Sequence, residues 1–307
     1  MKIVIALGGN ALGDNPITQK ENVNKCLTNL LPLIKDNEVV ITHGNGPQVG
    51  LINLAFEEAH KTNEKVCLMP FPECGSMSQG YIGFHLQNAL QNIFIKNKIN
   101  KPVVSLVTQV EVDPLDPAFE NPTKPIGSFY TYEESLNKPY IMKEDSGRGY
   151  RRVIASPKPV KVVEDSIIKE VMKQAIVITV GGGGIPVVFK NNEYVGCDAV
   201  IDKDFASSTL ASSIDADCML ILTQVDCAKI NFRQDNEQNL NKIGLSEIIK
   251  LNEQGHFLKG SMKPKIEASI EFVKERKERI AIITSIDKAY DAFTYQNVGT
   301  IIYNDYE

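Results

Sequence analysis

Three runs of mostly β-branched and aliphatic residues in this sequence each stop abruptly at glycine. The runs and the turns that follow them are Lys2–Leu7 before Gly8, Gly9 and Asn10; Glu38–His43 before Gly44, Asn45 and Gly46; and Ala175–Val180 before Gly181–Gly184. Short apolar runs of this kind are typical of buried parallel strands. Because the carboxyl ends of parallel strands meet at one edge of a sheet, the three turns are expected to lie together. Glycine leaves backbone N–H groups accessible there, so the pattern predicts an anion site, most simply one for phosphate.

Segments with helical spacing of apolar residues alternate with these and further strands. Helices are predicted at 18–35, 48–61, 76–96, 164–173, 204–214, 246–254, 264–276 and 288–293, and further strands at 102–108, 218–223, 280–284 and 299–303. A hairpin is predicted from 187–189 to 194–196, turning at Asn191 and Asn192. Alternating strands and helices are typical of the α/β class, here a three-layer α/β/α open sandwich around a mostly parallel central sheet.

Residues 111–159 interrupt this alternation. They are rich in proline, tyrosine and charge and have little apolar periodicity. Long irregular stretches inside a compact domain are usually lids or binding loops. We therefore expect one domain, 1–307, with an N-terminal lobe at 1–174 that carries a small protruding lid subdomain at about 111–160, and a C-terminal lobe at 175–307.

The composition excludes several classes of partner and compartment. The net charge is −5, from 33 basic and 38 acidic residues, which does not favour binding to nucleic acid or to a membrane surface. The first strand begins at once, which leaves no room for a signal peptide, and no apolar run reaches the ~18 residues of a membrane span. The six cysteines lack C-x-x-C spacing, so reduced thiols are expected, Cys74 included, in a cytoplasmic protein.

The glycine turns do not match the two best-known nucleotide motifs. The sequence contains no G-x-x-x-x-G-K-[ST], which argues against a P-loop. GNGPQVG at 44–50 places its third glycine one position late for a dinucleotide fingerprint, and no acidic residue follows at the expected strand end. The four histidines have no metal-ligand spacing, and the serines lack a histidine base, so neither a zinc site nor a serine hydrolase is indicated.

Three lysines are candidates for binding the transferred phosphate. Lys203 stands between Asp202 and Asp204 before a predicted helix, Lys265 lies at another helix start in GSMKPK, and Lys124 lies in NPTKPIG within the lid. Phosphoryl transfer depends chiefly on positioning and on neutralising negative charge, which lysine performs as a point charge. Asp204 has three open roles, since it can hold lysines, bind Mg²⁺ or cap the helix.

Two further groups of residues have more than one interpretation. His43 ends the second strand beside the glycine turn, where it can touch substrate or satisfy the local backbone. Arg148, Arg151 and Arg152 form either a solvated basic turn or contacts with carboxylates of the lid or of a second subunit.

Eight segments together resemble the carbamate kinases, which belong to the amino acid kinase family. They are ALGGNAL (6–12), ITHGNGPQVG (41–50), TQVEVD (108–113), NPTKPIG (121–127), GYRRVIASPKP (149–159), GGGGIPV (181–187), AVIDKD (199–204) and GSMKPK (260–265). The resemblance extends from residue 1 to about 303. It implies reversible phosphoryl transfer between ATP and carbamate with Mg²⁺, with carbamoyl phosphate and ADP as the substrates in the ATP-forming direction. It also implies a place in arginine metabolism, in the arginine deiminase pathway, and a homodimer with a continuous central sheet.

The resemblance further assigns roles to individual residues. Carbamate and the transferring phosphoryl group are expected at Gly8, Gly9, Asn10, Gly44, Asn45 and Gly46. Lys203 and Lys265 are expected to bridge the phosphates, Lys124 to close from the lid, and Asp204 to orient the lysines. The nucleotide is expected near Gly181, Gly182, Thr223, Asp226 and Lys265. No metal ligand is assigned, because Mg²⁺ is expected to be held mainly by the nucleotide phosphates.

Other functions remain as alternatives. The chain could be another phosphotransferase of the same family or a relative that synthesises carbamoyl phosphate. A nucleotide-binding module without activity is a third possibility, and a dinucleotide oxidoreductase ranks last.

Overall fold

An eight-stranded sheet forms the centre of the computed structural model, which describes residues 1–8, 12–13, 15–145, 147–258 and 260–306. With strands numbered in chain order, the spatial order is β15 (Lys242–Gly244), β17 (Thr300–Tyr303), β16 (Ile280–Ser285), β12 (Cys218–Thr223), β1 (Lys2–Leu7), β2 (Glu38–His43), β9 (Ile176–Ile178) and β3 (Val103–Ser105). All pairs from β16 to β3 are parallel, while β17 runs antiparallel to β16. The predicted mostly parallel sheet is therefore confirmed.

Helices cover both faces of this sheet. On β1, Val4 and Ala6 pack into one apolar cluster and Ile3, Ile5 and Leu7 into the other, as alternation along a strand requires. The helices on the first face are α5 (Asp165–Val171), α6 (Lys203–Ser213), α7 (Leu245–Glu253) and α8 (Met262–Lys274). Those on the second are α1 (Pro16–Lys35), α3 (Phe71–Lys96) and α9 (Ala289–Tyr295), and α2 (Gly46–Thr62) packs against α3. This is the predicted three-layer arrangement.

Some helix boundaries differ from the predicted ones, and at α1 a capping side chain sets the start. α1 begins at Pro16, where the side chain of Asn15 accepts hydrogen bonds from the backbone N–H groups of Ile17 and Thr18. The helix continues through Pro32 to Lys35. α3 begins five residues before the predicted start, at Phe71, because its first turn contains proline and glycine that interrupt the apolar pattern.

The irregular segment forms two pieces of structure. β4 (Gln109–Val112) and β8 (Pro159–Val162) join β10 (Ile185–Lys190) and β11 (Glu193–Gly196) in a four-stranded sheet of order β11-β10-β4-β8. Between β4 and β8, the three-stranded sheet of β5 (Lys124–Tyr130), β6 (Met142–Glu144) and β7 (Tyr150–Ile154), with α4 (Tyr132–Leu136), is called the lid below. The predicted strand at 102–108 is shorter, since β3 ends at Ser105.

Two hairpins complete the fold. The first, β10–β11, turns at Asn191 and Asn192, whose φ angles are 53° and 65°, as the sequence predicts. The second pairs β13 (Ala228–Ile230) with β14 (Gln238–Leu240). In the ranges that the structure describes, no helix has both the length and the hydropathy needed to cross a bilayer.

Candidate active site

Four neighbouring parallel strands end at the same level of the central sheet. Leu7 of β1 lies opposite His43 of β2 on one side and Leu222 of β12 on the other. β9 ends beside β2, with Ile178 opposite Ile41. Gly8, directly after β1, and the turns after β2, β9 and β12 therefore lie side by side at one sheet edge, where the glycine pattern predicts an anion site.

Asp204 holds two lysines beside this edge. Its Oδ1 accepts a hydrogen bond from Lys203 Nζ at 2.5 Å and its Oδ2 one from Lys265 Nζ at 2.8 Å. Lys203 is the first residue of α6, and Lys265 lies in the first turns of α8, which packs against α6. Of the three roles left open for Asp204, the structure shows the holding of lysines. The cap of α6 is Asp202, whose side chain accepts from the backbone N–H of Asp204 at 3.0 Å.

The lid contributes the third lysine. Lys124, the first residue of β5, donates from Nζ to Asp202 Oδ2 at 2.8 Å. Asp202 thus caps α6 with one oxygen and binds the lid lysine with the other. The sequence prediction missed this role, although a second carboxylate flanking Lys203 was its visible signal.

The three lysines and the two aspartates that bind them form a cluster with a net positive charge. Burial raises the pKa of Asp204, but the charges and hydrogen bonds of Lys203 and Lys265 outweigh burial and bring its pKa to about 2. The carboxylate is therefore ionised at neutral pH. Three lysines share two carboxylates here, which leaves one positive charge in excess for an anionic group.

The four-glycine turn after β9 packs against the turn after β2. Val180 has φ 50°, and Gly182, Gly183 and Gly184 have φ of 67°, 94° and 85°. A Cβ on Gly181 would lie 2.4 Å from His43 Nε2, and one on Gly182 would lie 2.1 Å from Asn45 Nδ2. Both glycines are buried, so close packing of the two turns already requires glycine there.

His43 satisfies the local backbone, which was one of its two predicted roles. Its Nδ1 lies 2.9 Å from the carbonyl oxygen of Gly44, to which it donates in the neutral form. Burial lowers the pKa of His43 to about 4, against the opposing effect of this hydrogen bond, and nearby Lys203 lowers it further. The imidazole is thus uncharged at neutral pH.

Two polar residues of α3 tie the turns together, and the sequence prediction missed both. Ser78 Oγ accepts from Asn45 Nδ2 at 2.8 Å. The amide of Gln79 pairs with the backbone N–H and C=O of Thr108 at 2.8 and 3.0 Å, and Thr108 Oγ1 accepts from Val180 N at 3.2 Å. Their signal was positional, because Ser78 and Gln79 continue the buried stripe of α3 formed by Ile82 and Leu86.

The remaining residues that the sequence predicts for substrate binding have different environments. A Cβ on Gly8 would lie 2.9 Å from the carbonyl oxygen of Leu222, so glycine is needed where β1 meets β12. Gly44 N donates to the Leu7 carbonyl at 3.1 Å. Gly46 is exposed and begins α2. The predicted positions Gly9 and Asn10 lie outside the described residues.

A cavity of about 130 Å³ lies at the carboxyl end of β12. Its lining residues are Thr223, Gln224, Val225, Cys227, Lys229, Phe232, His256, Phe257, Leu258, Ser261, Met262 and Lys265. Of the residues predicted for the nucleotide, Thr223 and Lys265 line this cavity. Asp226 is exposed beside it, and its carbonyl oxygen accepts from Thr284 Oγ1 at 3.1 Å.

The arginines of GRGYRR contact carboxylates, as one of the two interpretations held. Arg148 and Arg151 bind Asp145 within the lid, each at 3.1 Å. Arg152 Nη1 lies 3.2 Å from Glu57 Oε1, so it joins the lid to α2.

The thiol of Cys74 is protected, and no metal-binding cluster is found in the described ranges. Cys74 is buried, its Sγ lies 3.5 Å from the Met69 carbonyl oxygen, and burial raises the pKa of its thiol. Within the described residues, no group of three or more His, Cys, Asp or Glu side chains is arranged to hold a metal ion.

Comparison with known proteins shows the family of the chain. The model of the amino acid kinase family matches residues 1–284. The carbamate kinase-like protein YqeA of Escherichia coli is 52% identical over 306 residues, which cover 98% of each chain. The carbamate kinase of Clostridium perfringens is 49% identical over 313 residues, covering 98% of this chain and 100% of that one. Carbamate kinase from Giardia lamblia, solved with AMP-PNP, superposes with a TM-score of 0.91 at 43% identity, over 99% of this chain and 98% of that chain.

Proposed function

The chain belongs to the amino acid kinase family and, within it, to the carbamate kinases, and we propose that it transfers a phosphoryl group reversibly between ATP and carbamate. In the ATP-forming direction the substrates are carbamoyl phosphate and ADP. The observation that carries the proposal is the pair of lysines held by one buried carboxylate, Asp204, at the edge where four strands end. Such a pair suits a phosphoryl group in transit, because its negative charge must be positioned and neutralised.

The reaction needs no general base in this arrangement. The carbamate oxygen that attacks the phosphorus is already anionic, so in-line attack requires orientation rather than proton removal. Lys203 and Lys265 supply the positive charge that stabilises the transition state, and Asp204 fixes both ammonium groups. Lys124 approaches from the lid, where Asp202 holds it.

In this proposal carbamate, which accepts the phosphoryl group, binds in the N-terminal lobe, 1–174. Two of the expected donors have other partners, since Gly44 N–H bonds Leu7 and the side-chain amide of Asn45 bonds Ser78. The start of α2 at Gly46 therefore offers the backbone N–H groups that favour an anion at a helix N-terminus. Gly8, Gly9 and Asn10 remain predicted substrate residues on the adjoining turn.

The nucleotide occupies the C-terminal lobe, 175–307. The cavity after β12 has apolar walls from Val225, Phe232 and Phe257, which suit a base, and lysines at Lys229 and Lys265, which suit phosphates. The Giardia enzyme was solved with AMP-PNP, which supports the binding of a nucleotide by this chain. Gly181, Gly182 and Asp226 remain predicted nucleotide contacts.

Mg²⁺ fits the site as an ion bound to the phosphates of the nucleotide. Both oxygens of Asp204 bind lysines, and Asp202 binds Lys124 and a backbone N–H, so neither carboxylate offers a vacant oxygen. This favours a metal held mainly by the nucleotide phosphates, where it neutralises their charge. The resemblance also supports a cytoplasmic homodimer that acts in the arginine deiminase pathway.

A direct assay tests the function. The purified protein should form ATP from carbamoyl phosphate and MgADP, and Lys203→Ala should lower turnover by about 100-fold or more, because an electrostatic donor to the transition state is lost. Lys263→Ala is the matched control, since Lys263 lies on the same helix start as Lys265 but pairs with Glu267 at 3.8 Å. Circular dichroism shows whether each variant is folded.

The outcomes separate the alternatives. A folded Lys203→Ala variant with wild-type turnover would remove the lysine from the mechanism. Phosphorylation of acetylglutamate, aspartate or UMP by ATP, without reaction on carbamoyl phosphate, would indicate another phosphotransferase of the family. ADP binding without any turnover would indicate a module that only binds nucleotide.

A further inference from the structure

A second, larger cavity lies between the lid and the C-terminal half of the chain. It has a volume of about 970 Å³ and is called the lid chamber here. Its charged lining residues among the described ones are Lys124, Asp145, Arg148, Arg151, Lys158 and Asp202. Four cations thus face two carboxylates, so the chamber is positive although the whole chain carries a net charge of −5.

Part of the group of three lysines and two aspartates described above lines the lid chamber. The ion pair Lys124–Asp202 belongs to its wall, and Asp202 directly precedes Lys203. Pro264, also in the wall, directly precedes Lys265. The lid chamber therefore reaches the Lys124–Asp202 ion pair and the residues that directly precede Lys203 and Lys265.

The cavity after β12 reaches the same cluster from another side. Among the described residues, the two cavities share only Leu258 and Ser261 in their linings, and Lys265 lines the cavity after β12 but not the lid chamber. A nucleotide in the cavity after β12 therefore blocks that side while the lid chamber stays open. A small anionic substrate then has its own way to the lysines.

The outer rim of the lid chamber holds two guanidinium groups in place. Arg148 and Arg151 each bind Asp145 at 3.1 Å, and both lie over the ring of Phe129, at 4.9 and 5.0 Å from its centroid. Arg151 also donates from Nε to the Gly127 carbonyl at 3.1 Å. One carboxylate thus serves two cations, so the rim keeps a positive charge. The side chain of Arg148 is 60% exposed, which places that charge at the mouth.

We propose that the lid chamber is the path by which carbamoyl phosphate reaches the lysines, and that Arg148 and Arg151 draw this dianion into it. The inference rests on the proposed function. Clefts lined by charge of one sign raise the local concentration of an oppositely charged substrate and its association rate, and salt screens this effect. The nucleotide enters the cavity after β12, so the arginines of the rim do not raise its association rate.

Steady-state kinetics of Arg148→Gln test the path. At low ionic strength, kcat/KM for carbamoyl phosphate should fall by about threefold or more, and Arg148→Glu should lower it by about tenfold or more. The loss should shrink towards zero at about 0.5 M salt, since the Debye length is then only a few ångströms. KM for MgADP should change by less than twofold. Lys173→Gln is the matched control, because it removes an exposed lysine that pairs with Glu170 and does not line the chamber.

The possible outcomes test the proposed path separately from the proposed function. An unchanged kcat/KM for carbamoyl phosphate in Arg148→Gln at low salt, or an equal loss for MgADP, overturns the path and leaves the proposed function intact. The same loss in Lys173→Gln would show a response to net charge alone and also overturn it. Absence of ATP formation by the wild-type protein overturns the proposed function, and the path with it.

Discussion

Asp204 is buried, yet it carries a full charge because two lysines compensate the cost of removing it from water. Removal of one member of such a buried ionic group typically costs about 3–5 kcal/mol, since the remaining charges lose their partners. One oxygen of Asp204 accepts a hydrogen bond from Lys203 and the other accepts one from Lys265, so the same carboxylate fixes the positions of both ammonium groups. This single side chain therefore sets the spacing of the charges that a phosphoryl group would meet.

His43 makes the stability of the fold depend on pH. In the unfolded chain its pKa is about 6.5, whereas burial lowers the pKa of the folded group to about 4. Between these values the unfolded state binds more protons, so acid favours unfolding. The free energy of unfolding should lose about 2 kcal/mol through this group between pH 7.5 and pH 5, and His43→Asn should abolish that part of the loss. Urea titrations at the two pH values measure it.

Val40→Ala serves as the control for this prediction. Val40 is buried on the same strand and carries no titratable group, so its replacement should lower stability equally at both pH values. If His43→Asn keeps the full wild-type difference between pH 7.5 and pH 5, the neutral buried imidazole is not its source.

The contact between α2 and β5 sets the position of the lid. Gly50 of α2 faces Gly127 of β5, and a Cβ at Gly50 would lie 2.7 Å from the backbone nitrogen of Gly127. Arg152 of the lid donates a hydrogen bond to Glu57 of α2 and so also joins the lid to this helix. Because Lys124 begins β5, a displaced strand displaces the lysine that binds Asp202.

Gly50→Ala should therefore disturb catalysis through the lid. Its methyl group meets backbone, which cannot rotate away, so we expect a loss of about 1–3 kcal/mol in stability and of roughly 10-fold or more in turnover. Gly80→Ala is the matched control, because Gly80 lies in α3 with open space around it, and there alanine should stabilise the helix by about 0.5–1 kcal/mol. Wild-type turnover in Gly50→Ala would show that the lid tolerates the shift.

Three exposed apolar side chains of α1 and α3 lie together on one face of the molecule. Phe84 and Ile95 of α3 and Ile17 of α1 are 61%, 74% and 74% exposed, and the edge strand β3 lies beside α3. An exposed apolar patch beside an open sheet edge is a typical interaction surface. A second copy that pairs there would continue the central sheet, which is the homodimer that the resemblance implies.

Replacement of Phe84 by aspartate tests that arrangement. We expect Phe84→Asp to convert a dimer into a monomer, because a charge would be buried at the interface without a partner. Light scattering after size-exclusion chromatography measures the mass. Leu115→Asp, at an exposed position before the lid, should leave the mass unchanged. A wild-type protein that is already monomeric, or a dimeric Phe84→Asp, would contradict this surface.

Local pattern was sufficient for the elements and for the identity of many site residues. The predicted bounds of β1, β2 and β12 match the structure, because buried parallel strands are continuous apolar runs with sharp ends. The glycine turns follow from those ends, and Lys203 and Lys265 stand at helix starts as expected. Periodicity and turn chemistry are properties of neighbours in the chain, so the sequence by itself determined most strands of the central sheet, its covering helices and the edge that carries the glycine turns. It did not predict β15 or the antiparallel direction of β17.

Tertiary packing alone decided which side chains meet. Asp204 reaches Lys265 across 61 positions because α6 packs on α8, and Lys124 reaches Asp202 across 78 because β5 of the lid begins beside the N-terminal end of α6. The hydrogen bond from Asn45 to Ser78 gives that asparagine a structural partner where the sequence predicted only a substrate contact. Such pairings depend on the distance between elements, which no local pattern encodes. The sequence therefore supplied the charged groups, and the packing of helices and lid determined how those charges are shared.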